Sequence, residues 1–62
     1  MNITFKNSKK QSKWTYNHVA SIYADMNYIR IVGWNEIDEM YSARHYFDEF
    51  DAVEVDIKEE GN

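Results

Sequence analysis

Asn35-Glu-Ile-Asp-Glu-Met-Tyr-Ser-Ala-Arg-His-Tyr-Phe-Asp-Glu-Phe50 is the stretch on which the fold class turns. At about 100° per residue, Ile37, Met40, Ala43, Phe47 and Phe50 fall on one side, and Asp38, Ser42, His45 and Glu49 fall on the other. Asn35 has the chemistry of an N-cap. Glu36, Asp38 and Glu39 follow it, where the dipole of a first helical turn favours anions. The spacing predicts an amphipathic helix from Glu36 to Phe50, with Met40 and Phe47 buried.

The segments around it read as strands. Ile3 and Phe5 alternate with polar residues over 2–6, and residues 7–13 are a polar, basic loop. Trp14 to Ala24 fits a helical stripe (Val19, Ile22, Tyr23, Met26) or an alternating strand. Its β-branched and aromatic content favours strand. A turn at Asp25–Asn27 leads into Tyr28 to Trp34, the strongest strand signal in the chain. Val53, Val55 and Ile57 alternate with charged residues over Ala52 to Lys58, and residues 59–62 form a polar tail. The expected order is β-β-β-α-β: one α+β domain over residues 1–62, an antiparallel sheet with a single helix packed across one face.

Composition narrows the function classes. Ten aromatic rings and no proline argue for a folded chain, yet a chain of this length buries only about 60% of its unfolded surface. Cysteine is absent, which excludes disulfides and thiolate metal sites. No run has the length to span a bilayer, and residues 1–6 lack the apolar stretch of a signal peptide. The expectation is a cytoplasmic protein with no membrane contact.

Charge is polarised along the chain. Residues 1–34 hold five cations against Asp25, a net of +4, while residues 35–62 hold ten acids against Arg44 and Lys58, a net of −8. Such asymmetry bears on partners rather than on fold.

Chemistry-bearing motifs are few. His45 and Glu49 stand one helical turn apart, acceptable ligand spacing, but His18 lies on another element, so no metal or other cofactor is expected. Ser8, Ser12, Ser21 and Ser42 sit in no nucleophile motif, and so small a chain has little volume for a carboxyl of raised pKa. No enzyme is expected. Lys6, Lys9, Lys10 and Lys13 beside Trp14 and Tyr16 could follow a single nucleic-acid strand. The acidic half opposes that, so direct nucleic-acid binding is a secondary reading.

Two surfaces remain as candidates. The first is aromatic: with Ile29 and Ile31 turned to the helix, Tyr28, Arg30, Val32 and Trp34 face away, joined by Val19 and Tyr23 across the hairpin. Tyr, Trp and Arg are the residue types enriched at binding hot spots. A homodimer through this face would cover it. The second is acidic: Asp48, Glu49, Asp51, Glu54 and Asp56, with Asp38. Acids closing a helix break the rule that helix C-termini favour cations, and local rules break most often at functional sites.

By size, charge, missing cysteine and aromatic richness the chain resembles small acidic accessory proteins of phages and mobile elements, anti-CRISPR proteins and other anti-defence inhibitors among them. The resemblance implies a non-catalytic protein-binding inhibitor whose carboxylates imitate nucleic acid and occupy a basic groove on a host nucleic-acid-handling protein. The alternatives are a small nucleic-acid-binding or transcription-regulating domain using the basic half, and a structural homo-oligomer.

Overall fold

Residues 1–57 are described by a computed structural model. They form six strands and, among the described residues, no helix: β1 (Asn2–Asn7), β2 (Ser12–Tyr16), β3 (Val19–Ala24), β4 (Tyr28–Trp34), β5 (Met40–Tyr46) and β6 (Ala52–Asp56). The architecture is all-β, not α+β. Two three-stranded antiparallel sheets have the orders β2-β1-β6 and β3-β4-β5.

The correction falls on the quoted stretch. Seven residues predicted to be helical form β5 instead, each opposite a residue of β4, from Tyr28↔Tyr46 to Trp34↔Met40. Strand β4 has a row of backbone N–H and C=O groups along each edge, and β3 and β5 pair both of them. Read at period two, Tyr41, Ala43 and His45 turn inward, while Met40, Ser42, Arg44 and Tyr46 turn outward. The predicted apolar face therefore comes apart. Ile37, Met40 and Phe47 are 73%, 66% and 46% exposed, and His45, assigned to the polar face, is 6% exposed.

Asn35 explains the error. Its Oδ1 accepts the N–H of Ile37 (3.0 Å), as an N-cap would, and also that of Glu39 (2.9 Å), one residue past the N-cap pattern. Its own N–H, however, donates to Glu39 O at 2.9 Å, and Asp38 adopts a φ of 62°, which closes a hairpin loop. Asparagine can open either structure through the same side-chain oxygen.

Strands β2 and β3 are two arms of one bent strand. His18 makes the corner with a φ of 58°. Beyond the β1–β2 ladder, Val19 N–H donates to Met1 O (2.8 Å), and Trp34 N–H donates to His18 O (3.1 Å). The bend lets one segment serve both sheets, a device of crossed sheet packing. Gly33 permits it, because a Cβ there would lie 2.6 Å from His18 O and 2.7 Å from Tyr41 Oη.

Other boundaries shift less. The basic loop is shorter than expected, since β1 runs through Asn7 and β2 starts at Ser12, leaving a tight turn in which Gln11 has a φ of 55°. Strand β6 joins β1, with Val53 opposite Phe5 and Val55 opposite Ile3. The expected end of that strand at Lys58 and the tail 59–62 lie outside the described residues.

Between the sheets sit Ile3, Phe5, Val19 and Ile31, with Trp14, Tyr16, Ile29, Tyr41, Ala43 and Phe50 packed around them. Removing a ring from so small a core is severe, and Phe5→Ala should cost about 3–5 kcal/mol. Phe47→Ala should cost less than about 1 kcal/mol, as for other exposed positions. Urea unfolding of the two variants checks the strand assignment, because a helix with Phe47 buried would make the second variant cost as much as the first.

Candidate functional site

Alternation in β3, β4 and β5 decides what the outer face of the second sheet carries. Residues directly opposite in a ladder point to the same side. Tyr23, Arg30 and Arg44 form one row across the three strands, and Ser21, Val32 and Ser42 form the next. Tyr28 stands beside Tyr46 at one end, and Trp34 beside Met40 at the other.

The rings and guanidiniums are interleaved. Arg30 Cζ lies 4.8 Å from the centre of the Tyr23 ring, and Arg44 Cζ lies 5.0 Å from that of Tyr28. Tyr28 and Tyr46 meet edge to face at 5.4 Å. Arg44 Nη1 donates to Tyr46 Oη at 3.4 Å, and this bond, with the phenols of Tyr46 and Tyr28, raises the Arg44 pKa above its ordinary value. Among the described residues neither arginine has a carboxylate within ion-pair distance.

Of the sequence-predicted interface, Tyr23, Tyr28, Arg30, Val32 and Trp34 stand together on this face. Val19 does not: it is buried in the core, because the corner at His18 turns it inward. Arg44, Tyr46, Met40 and Ser42 were missed, because a helical reading scatters them. The period-two alternation of 40–46 was the signal that could have found them.

The acidic set is divided. Asp38 lies in the β4–β5 loop, a strand length from the turn that holds Asp48, Glu49 and Asp51. Asp51 holds that turn against the first sheet. Ser8 N–H donates to both of its carboxylate oxygens (3.2 and 3.1 Å) and Ser8 Oγ to Oδ2, bonds that keep the Asp51 carboxyl below its usual pKa. Glu54 pairs with Lys6 at 2.9 Å, and the Glu49 carbonyl accepts Asn7 Nδ2 at 2.9 Å. With no helix here, the acids break no dipole rule. Asp56 ends β6 opposite Asn2.

The lysine turn also differs from its reading. Trp14 and Tyr16 pack against the core instead of standing beside the lysines, and Lys6 faces Lys13 across the β1–β2 ladder.

His45 fills the middle of the molecule. Its ring stacks on Phe5 (4.4 Å) with Trp14 at 5.1 Å, and Nε2 is hydrogen-bonded to Tyr16 Oη at 2.5 Å. Nδ1 is buried without a hydrogen-bond partner; Glu49 Oε1 lies 3.3 Å away but out of line. Carboxylate, imidazole and phenol follow in the order of a proton relay, yet the imidazole is sealed in the core. The adjoining cleft, between Tyr16, His18, Trp34, Glu36 and Tyr41, measures about 260 Å³, below the roughly 300–1,000 Å³ usual for ligand sites. Among the described residues no group of three His, Asp or Glu side chains is placed to hold a metal, and no helix is long and apolar enough to cross a membrane.

No family profile, curated protein or solved structure matches the chain.

Two pH dependences follow. The folded pKa of Asp51 lies below its ordinary value of 3.8, so the stability it contributes is present above that value and is lost as pH falls through the folded one. Asp51→Asn should flatten the acid limb of a melting-temperature profile. Burial, then the Tyr41 and Glu49 charges, raise the Tyr16 pKa above 10.0. Its contribution is present below that value and disappears as pH rises through the folded pKa. Tyr16→Phe should flatten the alkaline limb.

Proposed function

We propose that this protein is a small, non-catalytic protein-binding module, an inhibitor or adaptor, that engages its partner through the outer face of β3-β4-β5. One observation carries the reading: Arg30 and Arg44 stand directly opposite each other on neighbouring strands, propped on tyrosines and without a carboxylate among the described residues. Opposed like charges destabilise a sheet, and a fold keeps such a pair where a partner relieves it. Tyrosine, tryptophan and arginine on a stiff sheet supply contact area with little entropy to lose.

A second copy is the weaker occupant. A two-fold pairing sets a patch against itself, which brings four guanidiniums together. The carboxylate surface is also weaker, because Asp51 and Glu54 already have partners within the fold.

A photo-crosslinking residue at Val32 or Ser42, in cells that make the protein, should trap one partner. The same residue at Thr4 or Thr15, which bond each other on the first sheet (3.2 Å), should not. Val32→Glu should weaken capture at least about tenfold with the melting temperature kept. Adducts from Thr4 alone would place the interface on the other sheet.

A further inference from the structure

We infer that the Arg30–Arg44 pair reads adjacent carboxylates on an acidic segment of the partner protein. The inference rests on the preceding reading that this face is the docking surface. Opposed residues in a ladder have Cβ atoms about 4.5–5.5 Å apart, so the two guanidiniums start from neighbouring points. Arg30 Cζ lies over the Tyr23 ring and Arg44 Cζ over that of Tyr28, at 4.8 and 5.0 Å. A guanidinium stacked on a ring keeps its N–H edges free, and those edges fit a carboxylate two bonds at a time. Arg44 spends one donor on Tyr46 Oη at 3.4 Å, a long bond; among the described residues no carboxylate lies within ion-pair distance of the others.

The surroundings select an acidic peptide over a nucleic acid. The rows hold no acid, but the β3–β4 turn brings Asp25 to one end of the sheet, and the β4–β5 loop brings Glu36, Asp38 and Glu39 to the other. A nucleic-acid strand repeats its charge along its whole length and meets carboxylates at both ends of the patch. A protein segment can confine its charge to the arginine row. Beyond that row, Val32, Trp34 and Met40 offer apolar contact, with Trp34 and Met40 48% and 66% exposed. The partner segment therefore carries a pair of Asp or Glu residues followed by apolar ones.

The test starts from a display library of random peptides selected on the wild-type protein, with an oligothymidylate as the nucleic-acid probe. The selected peptides should carry adjacent acids. Their affinity should fall about tenfold or more in the Arg30→Gln/Arg44→Gln protein, and equally when the peptide acids become Gln or Asn. Arg30→Lys/Arg44→Lys, which keeps charge without the fork, should lose a smaller part. Melting curves confirm that each variant is folded. Peptides lost with Val32→Glu but indifferent to both arginine variants would overturn acid recognition and leave the docking face standing. A library that yields no peptide sensitive to Val32→Glu or to the arginines overturns both readings. Tighter binding of the oligothymidylate through the same arginines overturns the peptide in favour of nucleic acid.

Discussion

An imidazole laid flat on a phenyl ring holds this molecule to its topology. His45 on Phe5, at 4.4 Å, joins the two sheets at their centre, and the hydrogen bond between His45 Nε2 and Tyr16 Oη ties β5 to β2. An imidazole is amphipathic: its faces pack like a ring of the core, while its nitrogens seek partners, which Nε2 finds in Tyr16 and Nδ1 does not. Only a strand at 40–46 puts that ring inside. Side-chain period in a strand is two, so turning His45 inward turns Arg44 and Tyr46 outward with no further choice. The ladder with β4 then sets Arg44 opposite Arg30. The candidate site is a geometric consequence of the core.

That core is minimal, and its edges show it. Among the described residues four hydrophobic side chains are buried, while Val53 and Val55, on the same face of the first sheet as Phe5 and Ile3, remain 37% and 49% exposed. Polar groups take on cohesion that a larger domain assigns to apolar contact. Asn7 Nδ2 reaches the Glu49 carbonyl, Asp51 holds Ser8, and Asp51 N–H donates to Lys6 O at 2.8 Å. All three tie the β5–β6 turn to the end of β1. Carboxylates that looked like a partner-facing surface are partly fastenings, each worth more in a domain of marginal stability.

Legibility in the sequence follows the same physics. Tyr28–Trp34 was readable because its aromatic and β-branched residues leave no other structure at that length. Residues 37–50 were not, since five apolar residues happened to match a helical period and Asn35 and its acids matched a helix start. The period-two alternation of 40–46 competes there with a helical period that runs longer, so the local pattern alone does not decide. The distinction lies in the need of β4 for a second neighbour, which is a tertiary fact. Val19 was misplaced because the corner at His18 is a non-glycine residue in the left-handed region, which no turn dipeptide announces. The aromatic half of the candidate face was legible from β4 alone. Its second arginine was not, because it depends on which way β5 is turned.

The bend at His18 links these observations. A positive φ on a non-glycine residue is retained only where its surroundings over-determine it. Here they do, through Met1 O, Trp34 N–H and a 2.6 Å hydrogen bond from Tyr41 Oη to Asn17 O. Tyr41 reaches that carbonyl because Gly33 has no side chain in its path. Gly33 lies between Val32 and Trp34 on β4, so the residue that admits the corner sits between two side chains of the outer face. Corner and face are therefore coupled through the backbone of one strand. A change that loosens the bend moves Trp34, whose N–H is held by the corner residue itself, before it reaches the arginine row.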